Sequence, residues 1–207
     1  MTNPNASTHM SSSEPAPRQM RLYDQAARRL YLNAAERTRF INAARRATLA
    51  QESFGLTLLY TGCRISEALS LTTSCIQFET EVLTIQTLKR RRTDHFREIP
   101  IPPELAAVLQ AQARDAEADQ LLWKHQKQTL NRSTGYRWIK RLMREAGIIG
   151  VHASPKGLRH GFGIHALQSD VPLNLLQKWM GHADIETTAI YANACGPEER
   201  AIAARMW

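Results

Sequence analysis

Two arginines stand in surroundings that suggest chemistry on a phosphate. Arg64 lies between Tyr-Thr-Gly-Cys and Ile-Ser-Glu-Ala-Leu, and Arg159 lies in Ser-Pro-Lys-Gly-Leu-Arg-His-Gly. Cleaving a phosphodiester without a metal ion requires a nucleophile, cations that hold the phosphate oxygens, and an acid for the leaving oxygen. A guanidinium suits the second task because it stays charged and donates two hydrogen bonds at once. Either arginine alone would more often be a surface or salt-bridged residue.

Composition indicates an anionic partner for the chain. Its 207 residues contain 27 Lys and Arg against 19 Asp and Glu, a formal net charge of +8. Such an excess favours nucleic acid, or else an anionic membrane surface. We expect no membrane partner and a cytoplasmic location, because no apolar run could span a bilayer and the N-terminus lacks a signal-peptide pattern.

A mainly helical domain with a small antiparallel sheet must position the arginines. Asn33 is a plausible N-cap for the first helix, whose apolar residues recur at helical spacing. Alternating β-branched residues predict two strands joined by a basic turn. Further helices are predicted at residues 47–60, 65–71, 104–116, 133–146, 155–168, 173–180, 186–193 and 198–206, and strands at residues 82–87 and 96–101.

The helix at residues 133–146 has two distinct faces. At 100° per residue its apolar face contains Tyr136, Ile139, Met143 and Ala146. The opposite face is basic and consists of Arg137, Lys140, Arg141 and Arg144. A solvated face is the ordinary interpretation of such a charge run. A helix lying on DNA with its cations on phosphates is the sharper one.

The remaining segments suggest little chemistry of their own. Residues 1–21 are rich in Ser, Pro, Asn and Thr and predict a disordered arm. Cys63, Cys75 and Cys195 are far apart, and the histidines are scattered. These spacings predict neither a disulfide framework nor a structural metal site.

Three ordered segments resemble the boxes of tyrosine recombinases, the phage-integrase family. Residues 58–69, Leu-Leu-Tyr-Thr-Gly-Cys-Arg-Ile-Ser-Glu-Ala-Leu, are similar to the first arginine box, and residues 156–160, Lys-Gly-Leu-Arg-His, to the second. Trp-Met-Gly-His at 179–182 and Thr-Thr-Ala-Ile-Tyr at 187–191 resemble the family's Leu-Gly-His … Thr … Tyr ending. One box would be weak evidence, whereas the ordered set, covering roughly residues 31–191, is strong. The resemblance implies the catalytic-domain fold that these enzymes share with type IB topoisomerases.

The resemblance also assigns roles to individual residues. Tyr191 is similar to the family nucleophile, which forms a 3′-phosphotyrosyl link, and Arg64 and Arg159 would bind the scissile phosphate. Lys89 matches the β-hairpin lysine that is a candidate acid, and His182 would hydrogen-bond the phosphate. Glu67 would brace Arg64 from one helical turn away. No metal or other cofactor is implied, and the basic turn (Arg90, Arg91, Arg92) would contact DNA with the basic helix.

One residue departs from the family pattern. The second box usually reads His-x-x-Arg, and here Lys156 stands at the histidine position. Lysine can donate to a phosphate oxygen, but its reference pKa of about 10.4 makes it a poor base near neutral pH. Type IB topoisomerases resemble this chain in having lysine there. A topoisomerase, and a DNA-binding protein that kept the fold without catalysis, are therefore the alternatives.

Domain organisation gives a further departure. We expect residues 22–194 to form the catalytic domain, with no helical core-binding domain ahead of it, so that the chain resembles the short fimbrial-type invertases. Residues 195–207 are predicted to form a tail helix after a hinge. In the family such a tail docks on a neighbouring subunit of a homotetramer, and packing on its own domain is the alternative. The leading hypothesis is a site-specific recombinase (integrase, invertase or resolvase) acting on paired DNA sites.

Overall fold

The computed structural model describes residues 20–88, 95–117, 119–125, 128–193, 200 and 203–207. The α-helices are α1 Ala34–Ala44, α2 Leu49–Thr61, α3 Ile65–Leu69, α4 Pro103–Ala113, α5 Arg132–Glu145, α6 Pro155–Gln168, α7 Leu173–Met180 and α8 Glu186–Ala189. The strands are β1 Ile76–Gln77, β2 Val82–Gln86, β3 Phe96–Pro100, β4 Lys124–His125 and β5 Gln128–Thr129. Short 3-10 helices span Thr73–Cys75 and Ile190–Asn193. The predicted class, mainly α with small antiparallel sheets, is confirmed.

Local capping sets most helix boundaries. Asn33 caps α1 as predicted, and its side chain accepts from the backbone N–H of Glu36 in a capping box. The second helix begins at Leu49 rather than at residue 47, because Thr48 acts as the N-cap and accepts from Gln51 N–H. Predicted ranges 155–168 and 173–180 coincide with α6 and α7.

Helix α2 is the centre of the main core. It packs against α1, α4, α5 and α6. Phe54 on α2 makes edge-to-face contacts with Trp123 and Trp138, with ring centroids 5.1 and 6.1 Å apart. A second apolar cluster, which includes Tyr31, Phe162, Met180 and Tyr191, joins α6 to α7 and to the 3-10 helix Ile190–Asn193.

The larger sheet has the order β1-β2-β3 with antiparallel pairing throughout. In β3, Arg97 and Ile99 face inward and Phe96 and Glu98 face outward, as the two-residue period requires. The two-residue strands β4 and β5 were not predicted, because so short a pairing has no periodic signal. The predicted basic turn, residues 89–94, lies outside the described residues.

Helix α5 buries Ile139, Met143 and Ala146 as predicted, but Tyr136 departs from the prediction. Tyr136, assigned to the apolar face, is 46% exposed, whereas Gly135, Trp138 and Leu142 are buried. A Cβ at Gly135 would lie 3.0 Å from the Phe54 ring, so the α5 backbone approaches α2 closely there. This approach rotates Tyr136 away from the core. The basic face is exposed, as predicted, along Arg137, Lys140, Arg141 and Arg144.

The predicted arm and tail are described only in part. Residues 1–19 and 194–199 lie outside the described residues, and Cys195 is among them. Arg200 and Ala203 have helical backbone, and Arg205 bonds Asp170 and the carbonyl oxygen of Gln168. Within the described ranges, no helix combines the length and the apolar character that crossing a bilayer requires.

Candidate active site

Four of the predicted catalytic side chains border one cavity of about 1060 Å³. They are Arg64, Lys156, Arg159 and His182. Arg64 precedes α3, Lys156 and Arg159 lie on α6, and His182 follows α7. The fold thus brings together residues from three distant segments of the sequence, as the motifs predict.

Arg159 is buried beneath this cavity and hydrogen-bonds to the C-terminal ends of two helices, α2 and α7. Its Nη1 donates to the carbonyl oxygen of Gly62 at 2.6 Å, and its Nη2 to that of Met180 at 2.8 Å. Gly62 ends α2 in the left-handed conformation, and Met180 is the last residue of α7. Burial lowers the pKa of Arg159 to about 10, so the guanidinium stays charged at neutral pH.

Glu67 accepts two hydrogen bonds from Arg64. Its Oε1 accepts from Arg64 Nη1 at 2.8 Å, and its Oε2 accepts from Arg64 N–H at 2.8 Å. A second guanidinium reaches the same carboxylate, because Arg97 Nη2 lies 2.7 Å from Oε2. Both the Glu67 and Arg97 side chains are almost completely buried. The Glu67 carboxylate therefore holds two arginines at once.

Arg97 was not predicted from the sequence. Its Nε donates to the carbonyl oxygen of Trp179 at 2.7 Å, and its Nη1 to Thr87 Oγ1 at 2.8 Å. It thereby joins β3 to α3, to the end of α7 and to the end of β2. A signal was present, since Arg97 shares the inward parity of Ile99 on a two-residue period. A charged residue at an inward position indicates a buried ion pair.

His182 is a buried, neutral imidazole. Its Nδ1 lies 2.8 Å from Thr188 Oγ1, and its Nε2 is buried without a hydrogen-bond partner among the described residues. Burial first, and then the charges of Arg159 and Arg64, lower the pKa of His182 to about 3. An imidazole that borders the cavity with one unpartnered nitrogen is suited to bind a polar ligand there.

Tyr191 lies directly beside this group of residues, on the 3-10 helix Ile190–Asn193. The residue is 1% exposed, and its ring stacks on His182 with an interplanar angle of 14° and centroids 6.4 Å apart. Burial raises the pKa of the Tyr191 phenol well above its ordinary value, while Arg159 and Arg64 act in the opposite direction. The phenol is thus within electrostatic reach of both guanidinium groups.

His160 is a second residue that was not predicted. Its Nδ1 lies 3.2 Å from the Tyr191 hydroxyl, and its ring is completely buried at the same cavity. The only sequence signal was its place next to Arg159 in the second box.

The predicted DNA-binding residues are only partly described. Lys89, Arg90, Arg91 and Arg92 fall outside the described residues. The basic face of α5 borders another cavity, of about 800 Å³. Arg132 and Tyr136, on the first turns of α5, border the cavity of the catalytic residues. Helix α5 therefore runs from that cavity along a positively charged surface.

No metal-ligand set is evident in the described part of the chain. No group of three or more His, Cys, Asp or Glu side chains there is arranged to hold a metal ion. Cys63 and Cys75 are free thiols, and burial raises the pKa of the Cys63 thiol to about 11.

Comparisons with known proteins identify the family. The family model of the phage integrase family matches residues 30–195. Tyrosine recombinase XerA of Pyrococcus furiosus is 34% identical over 140 residues, which are 65% of this chain and 47% of the relative. The chain spans about half the length of such relatives.

Solved structures have the same fold. A crystal structure of XerA recombinase matches with a TM-score of 0.76 and 25% identity, over 85% of this chain and 64% of that one. XerH recombinase in a pre-cleavage complex with its difH substrate matches with a TM-score of 0.70 and 21% identity, over 89% and 59%. Since the family model covers most of the sequence and includes every predicted catalytic residue, the chain belongs to the phage integrase family.

Proposed function

We propose that the protein is a site-specific DNA recombinase of the tyrosine type, cleaving and rejoining double-stranded DNA at defined sites. The observation that carries this proposal is the placement of Tyr191 beside the cavity that Arg64, Arg159 and His182 border. Relatives named tyrosine recombinases, and a structural neighbour solved with its DNA substrate, support it.

The proposed reaction begins with a phosphate bound in the cavity. Arg64 and Arg159 donate to its non-bridging oxygens, and the Nε2 of His182 adds a third contact. The Tyr191 phenol loses its proton to water as its oxygen attacks phosphorus, so that a Tyr–O–P bond forms and the bond to the 5′ oxygen breaks. The 3′-phosphotyrosyl link conserves the energy of the broken bond, and the proposed reaction therefore uses no metal or other cofactor.

Two lysines have proposed roles at the same phosphate. Lys89, at the predicted turn between β2 and β3, would protonate the leaving 5′ oxygen. Arginine neighbours cannot replace it, because a pKa above about 12 makes arginine too weak an acid. Lys156 is exposed on the first turn of α6, where its ammonium can donate to a phosphate oxygen.

The DNA is proposed to follow the basic surface of α5. Its phosphates would contact Arg137, Lys140, Arg141 and Arg144, and the predicted basic turn with Arg90, Arg91 and Arg92 would add further DNA contacts. We propose residues 22–194 as the catalytic domain and residues 195–207 as a tail that links a homotetramer on DNA. Integration, inversion and resolution all use this chemistry, and a place on a mobile genetic element in the cytoplasm is consistent with it.

The relatives do not favour the topoisomerase alternative. XerA, the relative described above, is named a recombinase, and so is the XerA of the structural match. Relaxation of supercoiled plasmid by the monomer at many sequences would contradict the proposal.

A covalent-capture experiment tests the proposed nucleophile. Nicked duplexes of randomised sequence trap the phosphotyrosyl link, because the short strand diffuses away after cleavage. We expect a denaturation-resistant adduct with the wild-type protein and none with Tyr191→Phe. Tyr60→Phe is a matched control, since the Tyr60 hydroxyl bonds Glu104 at 2.8 Å outside the cavity. An adduct with Tyr191→Phe would disprove the assignment.

A further inference from the structure

We propose that His160 is the positioning residue for the nucleophile, holding the Tyr191 phenol at a set place relative to the phosphate bound by Arg159. The inference rests on the proposed function, because it assumes that a phosphate occupies the cavity. It assigns a role to a residue outside the predicted catalytic set.

His160 has a fixed place on α6 relative to Arg159. The two residues are consecutive, and both side chains border the same cavity. A helix interior is rigid, so the spacing between them is fixed by helix geometry. Tyr191, in contrast, lies on a four-residue 3-10 helix that follows the four-residue helix α8. The hydrogen bond between His160 Nδ1 and the Tyr191 hydroxyl, 3.2 Å long, therefore fixes the position of the phenol relative to α6, the helix that also carries Arg159.

Helix α6 also constrains the orientation of the Tyr191 ring through close packing at Gly163. A Cβ at Gly163 would lie 2.7 Å from three atoms of the Tyr191 ring, closer than packing allows. Gly163 therefore leaves a slot in which the ring rests against the α6 backbone. The ring also stacks on His182. Helix α6 thus determines both the tilt of the ring, at Gly163, and the place of its hydroxyl, at His160.

Electrostatics keep His160 able to hold this bond. Burial first, and then the charges of Lys156 and Arg159 on its own helix, lower the pKa of His160 to about 3. Among groups on other elements, the Tyr191 phenol contacts the His160 ring, and the neutral His182 ring interacts with it electrostatically. His160 is therefore uncharged near neutral pH, and a neutral imidazole has one donor and one acceptor nitrogen. Its Nε2 has no partner among the described residues, so the Nδ1 bond to Tyr191 is the ring's hydrogen bond within that part of the chain.

Three substitutions separate this role from simple space filling. The amide of His160→Asn reaches about where Nδ1 lies, that of His160→Gln about where Nε2 lies, and His160→Leu has no polar group. The rate of adduct formation is measured at saturating DNA, with nicked duplexes selected by the wild-type protein. We expect His160→Asn to stay within about tenfold of wild type, and Gln and Leu to lose about a hundredfold, as misplaced reacting groups do. DNA affinity should be unchanged in all three.

A second measurement reports on the phenol without any reaction. With 3-fluorotyrosine at position 191, the ¹⁹F resonance of the free protein should move in His160→Leu and His160→Gln and stay near the wild-type position in His160→Asn. Equal adduct rates for Gln and Asn, or a wild-type rate for Leu, would overturn the positioning role. So would losses that follow the melting temperature alone. A wild-type protein that forms no adduct with any duplex would instead refute the proposed function, and the fluorine spectra would still test the bond.

Discussion

At the scale of single residues, one carboxylate organises the positive charges of the cavity. Glu67 accepts from Arg64 and Arg97, and its side chain is fully buried. Burial alone would raise the pKa of Glu67, but Arg97 and then Arg64 outweigh it and hold the pKa below its ordinary value. Two guanidinium groups near a third, Arg159, would repel one another without this charge. The carboxylate therefore makes a dense cluster of cations compatible with folding.

Removing that charge should be costly. We expect Glu67→Gln to lower the free energy of unfolding by about 3 kcal/mol, because it leaves buried guanidinium charge uncompensated. Urea unfolding at pH 7 measures the change. Glu145→Gln is the control, since its pair with Arg141 is exposed and should contribute under about 1 kcal/mol. Equal effects of the two substitutions would contradict the proposed importance of burial.

The same pair predicts a pH dependence. A carboxylate whose pKa is lower in the folded state contributes stability above its unfolded pKa and loses it as pH falls through the folded value. The stability difference between wild type and Glu67→Gln should therefore be largest above about pH 5 and shrink below about pH 4. Urea midpoints between about pH 3 and pH 7 test this, and a difference that stays constant across that range would count against it.

At the scale of elements, α6 is the support of the candidate site. Ser154 caps it, Pro155 begins it, and Gly157 lies where the backbone of the preceding loop crosses. A Cβ at Gly157 would be 1.8 Å from the carbonyl oxygen of His152, a distance no packing accommodates. The chain before α1 is also attached here, through a 3.2 Å bond from Leu32 N–H to the Gly157 carbonyl oxygen. The start of α6 thus depends on the absence of a side chain at Gly157.

Gly157→Ala should displace the first turn of α6. We expect a loss of about 1–3 kcal/mol of stability, as overpacking typically causes, together with weaker adduct formation because Lys156 and Arg159 move. Thermal unfolding and covalent capture measure the two effects. Gly147→Ala is the comparison, since its Cβ would meet open space and only its positive φ of 65° is unfavourable. Adduct formation should survive that change, and its loss there would count against a special role for Gly157.

At the scale of the whole molecule, the positive charge is unevenly distributed and is concentrated along α5. The net charge is +8. Helix α5 carries an exposed basic stripe that begins beside the cavity at Arg132 and continues to Arg144. Cations spaced along one surface next to the cavity are suited to a polyanion that lies across it.

Salt dependence of DNA binding should reveal this stripe. Each phosphate that the protein no longer neutralises reduces the slope of log affinity against log salt by about 0.9. We expect a triple variant with Arg137, Arg141 and Arg144 changed to Gln to lower the slope by about 2–3, measured by fluorescence anisotropy with a random duplex. A triple variant of Arg45, Arg46 and Arg114 removes the same charge from other parts of the surface. Equal slopes for the two variants would place the DNA elsewhere.

Much of the candidate site could be predicted because its signals are local. The boxes around Arg64, Arg159, His182 and Tyr191 are contiguous segments, and α6 and α7 have clear boundaries in Pro155 and Gly181. Helix caps, glycine stops and alternating strands depend on neighbours a few residues away. These features need no knowledge of how the chain returns on itself.

Contacts between distant segments had no signal in the sequence. Arg97 meets Glu67 across 30 residues, and His160 meets Tyr191 across 31. The rotation of α5, which exposes Tyr136, follows from a close approach to Phe54 that helical periodicity does not contain. Such pairings depend on how helices and strands pack around α2, because burial selects partners by position in space rather than in sequence. Local sequence motifs therefore predicted most of the candidate site residues, whereas contacts such as those of Arg97 and His160 depend on how distant segments pack together.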